Sequence, residues 1–216
     1  MSDTTPDGTT LLNQATLDGD GFTPELATAK TAVGLFPTYL PIIVQSPAPD
    51  LVGSFYLTPN KPTFVTGEPV QITVVITNQG SAAAGPFWLD LFISPTAPPI
   101  AANTLWNHTC GLTPCYGLAW GVANGLAPGQ TLTLTSTPDS YSTLDTVWPG
   151  SFAAGTSDLH LYVDSWNPGI ATGAVIESNE YNNSAALYGL EVGGFDKGSL
   201  VDSEGVDMPE RPVLPK

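Results

Sequence analysis

The sequence predicts an all-β protein, and three observations lead to that class. In residues 70–77, Val70, Ile72, Val74 and Ile76 alternate with largely polar neighbours, as in a strand with one buried face. The chain contains 22 Gly and 21 Pro in 216 residues, which favours short strands joined by turns. Outside the first 35 residues, no window shows a convincing helical stripe. Hydrophobic residues make up 42% of the chain, enough for one large domain with a real core.

Residues 1–48 are predicted to form an N-terminal arm. Residues 1–20 are polar, and a short helix is expected over 23–32, with Thr23 as N-cap and Pro24 at the first helical position. The next segment is apolar, and its prolines favour an extended path. It is either a linker packed on its own domain or a strand that docks on a neighbouring copy. The predicted assembly residues are Tyr39, Leu40, Ile42, Ile43 and Val44.

Residues 49–193 are predicted to form the folded domain. Alternating or apolar runs predict strands at 51–58, 70–77, 87–93, 131–135, 159–164 and 185–192. Two long insertions separate them, one over 94–124 and one between 135 and 159. Six or seven strands in this length are typical of a seven-stranded immunoglobulin-like β-sandwich. Residues 194–216 are rich in Gly, Asp, Glu and Pro and are predicted to form an acidic C-terminal arm.

The charge pattern excludes two classes of partner. The formal net charge is −15, and no Lys or Arg lies between Lys61 and Lys197. Such a surface repels phosphate backbones and anionic lipids, so neither nucleic acid nor electrostatic membrane binding is expected. No stretch approaches the length of a membrane span, and residues 1–6 lack the features of a signal peptide. We expect either a processed chain or export by a signal absent from this sequence.

Several of these elements, in this order, resemble a CARDB domain, a cell-adhesion-related family. They are Pro49-Asp-Leu-Val, the run from Gly67 to Gly80, Leu126-Ala-Pro-Gly-Gln, Val163-Asp and the Glu177 to Asn183 segment. The resemblance spans about residues 49–193 and implies a seven-stranded immunoglobulin-like sandwich on an exported protein, without catalysis. It therefore implies an extracellular or cell-surface location. The two insertions and two arms depart from the compact family pattern.

The two cysteines, Cys110 and Cys115, flank a Gly- and Pro-containing turn. A small disulfide loop is one interpretation, and two free buried thiols are the other. No His or Cys partner stands at zinc-ligand spacing. Asn107 and Asn182 each fit the short N-glycosylation pattern.

A group of oxygen-bearing side chains suggests a calcium site at Asp164, Glu177, Glu180 and Asn183. Hard oxygen ligands without a basic partner suit Ca²⁺. The alternative is that these side chains cap backbone groups in a tight turn. A second, weaker fragment of a calcium loop lies at residues 18–20, where the later Glu is missing. Apart from possible calcium, no cofactor is expected.

No catalytic motif occurs in the sequence, so no enzymatic activity is expected. His160 is predicted to be a surface residue on the polar face of its strand. The leading interpretation is a non-catalytic extracellular subunit that assembles with copies of itself into a filament or layer and contacts surface glycans or other surface proteins. The alternative is a carbohydrate-binding module that stacks sugars on loop tryptophans. Those tryptophans are Trp106, Trp120 and Trp148, for which a core or interface role is also open.

Overall fold

The computed structural model describes residues 10–17, 25–32, 46–111, 114–194 and 208–214. The chain divides into two compact units, Met1–Ser46 and Pro47–Lys216. Within the described residues, no helix is long and apolar enough to cross a membrane.

The first unit contains an antiparallel pair of strands, β1 (Thr10–Leu17) and β2 (Glu25–Ala32). The helix predicted over 23–32 is therefore wrong. A helix this short gains little from propensity alone, whereas strand pairing supplies backbone partners from Thr10 to Leu17. The first 20 residues are polar, so their sequence did not predict β1, the strand that pairs with β2.

The second unit is a sandwich of two sheets. One sheet has the order β4–β10–β9–β6–β7 and the other the order β3–β5–β8. All neighbouring pairs are antiparallel except β4 with β10. The all-β immunoglobulin-like class is thereby confirmed. The strands are β3 (Leu51–Thr58), β4 (Thr63–Val65), β5 (Gln71–Asn78), β6 (Phe87–Ile93), β7 (Gly117–Val122), β8 (Thr131–Thr135), β9 (Gly155–Val163) and β10 (Ser184–Gly193).

The core lies between the two sheets, on the face that the alternation of β5 predicts. Ile72, Val74 and Ile76 are fully buried, in one cluster with Leu89 and Leu161. Burying one such side chain contributes about 1.5–3 kcal/mol relative to leaving it exposed. These contacts hold β6 and β9 in place and so position the loops at their ends.

The first insertion is more ordered than predicted. Residues 94–124 include a 3-10 helix, Trp106–His108, and strand β7. Residues 63–65 add a further short strand, which gives the sandwich eight strands rather than seven. The second insertion joins the same sheet, because Gly117 and Val147 exchange two backbone hydrogen bonds of 3.0 Å.

Strand β6 is buried on both faces. Phe87, Leu89, Leu91 and Ile93 face the core as predicted, but Trp88, Asp90 and Phe92 on the other face are buried too. The first insertion contributes Trp106 and Cys110 to a second apolar cluster around Phe92, and Met208 packs against it. The outer face of the larger sheet is thus covered by a third layer.

Candidate functional site

The four residues predicted as calcium ligands lie in or beside the loop between β9 and β10. Asp164 follows β9 in a left-handed conformation with φ of 56°, and its two carboxylate oxygens accept hydrogen bonds from the N–H groups of Ala174 and Val175 at 2.9 and 2.8 Å. Both oxygens of Asp164 thus hold the β9–β10 loop in place, as the capping alternative requires.

Glu177 and Glu180 are engaged in the same way. Glu177 accepts hydrogen bonds from the backbone N–H of Leu51 and from the side-chain amide of Asn183, the latter at 2.8 Å. Glu180 accepts one from the N–H of Glu177 at 2.8 Å. Since Leu51 opens β3, the buried Glu177 carboxylate ties the β9–β10 loop to the smaller sheet.

Among the described residues these carboxyl groups have no basic partner, and their partial or full burial alters their titration. Burial raises the pKa of Asp164 to about 7, opposed by the N–H groups of Val175 and Ala174. Burial likewise raises the pKa of Glu177 to about 8, and the charges of Asp164 and Glu180 add to that rise. The pKa of Glu180 is also raised by burial. The cluster therefore takes up protons near neutral pH.

The geometry fits capping better than metal binding. The oxygens of Asp164 and Glu177 already accept hydrogen bonds from the chain, and none of the described side chains form a group of three acidic, His or Cys residues arranged to hold a metal ion. The second calcium-loop fragment, residues 18–20, lies outside the described residues.

The three tryptophans proposed to stack on sugars lie in the interior. Trp106 and Trp120 are buried, and their indole N–H groups donate to the carbonyls of Asp145 at 2.8 Å and Thr135 at 3.0 Å. Trp148 is half-buried and packs edge-on against Phe152, with ring centroids 5.1 Å apart. The structure therefore places Trp106 and Trp120 in the core and packs the half-buried Trp148 against it, so the three rings do not form an exposed stacking platform.

Cys110 and Cys115 are joined by a disulfide. It closes a short loop just after the 3-10 helix, and Cys110 packs in the cluster with Phe92 and Trp106. Both candidate glycosylation residues are engaged with the protein. Asn107 is buried, and Asn182 donates to Asp50 at 2.7 Å. A glycan at Asn107 would have to displace that side chain from the interior.

His160 is not the surface residue that its strand pattern predicts. It is buried, and its ring lies edge-on to Tyr188 with centroids 5.2 Å apart. Burial lowers the pKa of His160, so the imidazole is neutral at physiological pH. The reason for the difference is Tyr188 itself, which covers the outer face of β9 from a bulge in β10.

A groove lies between β3 and β10 where both strands present unpaired edges. β3 is the outer strand of its sheet, and β4 pairs with β10 only at Glu191–Gly193. Hence the outer edge of β10 from 184 to 190 has no strand partner among the described residues. The groove has a volume of about 580 Å³. Its most exposed apolar residues are Tyr56, Leu187 and Tyr188, at 52%, 37% and 64% of their full exposure.

The arm residues predicted to assemble, Tyr39, Leu40, Ile42, Ile43 and Val44, lie outside the described residues. The groove between β3 and β10 offers open strand edges and an apolar lining, the two requirements for strand addition.

Sequence reasoning missed one binding feature altogether. Residues 208–214, part of the predicted C-terminal arm, lie across the outer face of β6 and β7. Arg211 is buried there against Asp90 of β6, with Nη1 and Nη2 donating to its two oxygens at 2.5 and 2.9 Å. A signal was present in the sequence, because Arg211 is the only arginine and stands between Pro209 and Pro212.

The two packed sheets, with eight strands among the described residues of the second unit, define an immunoglobulin-like domain. A family model for CARDB matches residues 48–187, so the chain belongs to the CARDB family, a non-enzymatic cell-adhesion-related domain family. The resemblance found in the sequence is thereby confirmed.

One solved structure similar to this chain is the CARDB domain of a Pyrococcus furiosus protein, crystallised in complex with di-metal ions. Its sequence is 20% identical, the TM-score is 0.40, and the match covers 67% of this chain and 89% of that chain. No curated protein sequence is significantly similar to the chain.

Proposed function

We propose that this protein is a non-catalytic extracellular structural subunit that assembles with copies of itself into a filament or layer at the cell surface. The observation that carries the proposal is the groove between β3 and β10, where two open strand edges and exposed aromatic side chains meet. The same chain also contains an apolar segment, residues 39–45, that suits pairing with such an edge.

The proposed occupant is the segment 39–45 of a neighbouring copy. Extended, it directs Ile42 and Val44 to one side and Ile43 to the other, and Pro41 stands near its beginning, where a missing N–H does least harm. Each buried aliphatic side chain contributes roughly 1.5–3 kcal/mol before ordering costs are subtracted. The backbone of the segment would pair with an edge that otherwise invites unspecific association.

Such a contact joins two different surfaces and is therefore heterologous. Unless its rotation closes a ring, it propagates into an open filament. An extracellular location is supported by the adhesion-related family and by the Cys110–Cys115 disulfide, since disulfides persist in oxidising compartments.

The test uses a matched pair of full-length variants. Leu187→Lys puts a charge in the groove, and Leu144→Lys makes the same change at an exposed loop position, where Leu144 is 71% exposed. We expect Leu187→Lys to remain folded and to lose sedimentable polymer, while Leu144→Lys assembles as the parent does. Equal assembly by both variants would contradict the proposed groove.

Calcium binding is a separate hypothesis that melting curves test. The mutual electrostatic influence of Asp164, Glu177 and Glu180 supports a cation site, whereas their N–H donors support capping. A Tm that rises in CaCl₂ over NaCl of equal ionic strength, and that no longer rises in Asp164→Asn, would support calcium. Identical melting curves in calcium and in chelator would contradict calcium binding and leave backbone capping as the role of these side chains.

A further inference from the structure

The C-terminal segment 208–214 occupies a groove built for an arginine. Asp90 projects from the outer face of β6, is fully buried and also accepts a hydrogen bond from Ser165. The Arg211 guanidinium lies 4.9 Å from the Trp88 ring centroid, and Nε is 3.5 Å from the carboxylate of Asp145. This arrangement matches the planar, bidentate and stacking chemistry of arginine rather than that of lysine.

The groove also recognises the backbone on either side of the cation. The indole N–H of Trp166 donates to the carbonyl of Arg211 at 3.0 Å, and that of Trp88 donates to the carbonyl of Pro212 at 2.9 Å. Leu214 lies above Gly121 of β7, about where a side chain at position 121 would make ordinary contact. The site therefore binds an extended Arg-Pro segment.

Loss of the guanidinium would leave the fully buried Asp90 without the donor of its two Arg211 hydrogen bonds, which is unfavourable, so the folded domain favours a guanidinium at this site. Arg211 is the only arginine in the sequence. Only two sources within this protein can supply the group, the domain's own C-terminal segment or that of a second copy. The 13 residues from 195 to 207 can span at most about 45 Å, enough to reach beyond the domain that carries them.

We propose that this groove is an intersubunit peptide-binding site, filled in the assembled protein by the Arg211-containing segment of a second copy. The inference rests on the proposed self-assembly and adds a second contact to it. The same contacts can form between two copies, because each contact described above joins residues 208–214 to the folded domain. A tethered segment competes at an effective concentration on the order of millimolar, so exchange becomes competitive only where copies are equally concentrated, as the proposed assembly would make them.

Cysteine cross-linking tests the proposal with folded, full-length protein. One chain carries Gly121→Cys, and a second chain with a tag of different mass carries Leu214→Cys. Both positions tolerate the change, because a Cβ at residue 121 meets its neighbours at 3.4–3.5 Å and Leu214 is only half-buried. The native cysteines are already paired. The control replaces Gly121→Cys by Gly85→Cys, since nothing lies within 4 Å of a Cβ at residue 85.

After mixing, assembly and mild oxidation, we expect disulfide-linked heterodimers several-fold above the Gly85→Cys control. A chain carrying both Gly121→Cys and Leu214→Cys tests the alternative, in which the segment binds its own domain. In that case the disulfide forms within one chain, and the molecular mass stays that of a monomer. Heterodimers no more abundant than in the control, with internal links formed in the double variant, would overturn the exchange. Sedimentation of the same samples reports on the proposed function independently: polymer without heterodimers contradicts only the exchange, and heterodimers without polymer contradict only the filament.

Discussion

At the scale of single residues, two kinds of buried charge organise the domain. Asp164 and Glu177 are buried, have no basic partner among the described residues and hold loops through backbone N–H groups. Asp90 is buried with a cation from a distant part of the chain. The sequence indicated the first group, because Asp and Glu cluster after a strand. It could not show that Asp90 meets Arg211, since the partners are 121 residues apart.

The raised pKa values of Asp164 and Glu177 predict how stability depends on pH. Between about pH 4, where these groups ionise in the unfolded chain, and their folded pKa values of about 7 and 8, the folded state holds protons that the unfolded state has released. The free energy of unfolding therefore decreases as pH rises through this window. We expect the Tm to fall by several degrees from pH 5 to pH 8.

Thermal melts of Asp164→Asn and Glu177→Gln check the assignment, because both variants should show a shallower decline. Asp139→Asn alters an exposed carboxylate on a loop and should keep the parent slope. A Tm that increases from pH 5 to pH 8 in the parent would contradict the raised pKa values of the two buried acids.

The Arg211–Asp90 pair predicts a large effect of a single substitution. Arg211→Ala leaves Asp90 buried and uncompensated, which costs about 3–5 kcal/mol. Arg211→Lys restores the charge without the bidentate geometry and should recover only part of that loss. The matched control is Lys61→Ala, which breaks an ion pair with Glu68 and should cost far less, because solvent-exposed ion pairs contribute little to stability. Urea unfolding measures all three, and equal losses for Arg211→Ala and Lys61→Ala would contradict the docked segment.

At the scale of elements, the sequence predicted a strand where only one of its faces is buried, and it failed where both faces are covered or the partner strand is polar. β5 was predicted because one face is apolar and the other largely polar. β7 was missed because both its faces are covered and its sequence, with Gly117, Ala119 and Gly121, does not alternate. β2 was predicted as a helix because its partner β1 was hidden in a polar stretch. The groove between β3 and β10 depends on which strand edges stay unpaired, which no local pattern encodes.

The contact between β7 and the first insertion gives a prediction at this scale. A Cβ at Gly117 would overlap the ring of Trp106, which is buried and hydrogen-bonded to Asp145. We expect Gly117→Ala to destabilise the domain by roughly 1–3 kcal/mol through overpacking. Gly85→Ala, in open space at an exposed position, should be nearly neutral. Similar urea midpoints for the two variants would contradict the packing of the insertion on β7.

At the scale of the whole molecule, the CARDB sandwich has two surfaces that we propose bind chain segments. One lies between β3 and β10, and the other crosses the outer face of β6 and β7. Each suits an extended segment from an end of a chain, the apolar segment 39–45 for the first and the Arg211 segment for the second. Self-assembly through exchanged ends is therefore the common expectation from both surfaces.

Removal of residues 1–47 tests that expectation most directly. The second unit, Pro47–Lys216, is compact by itself, so the truncated chain should fold and melt cooperatively. Analytical ultracentrifugation with electron microscopy of the same samples should show regular polymers for the full chain and monomers for the truncated one. Normal polymerisation of the truncated chain would contradict the account, as would a full chain that stays monomeric at every concentration.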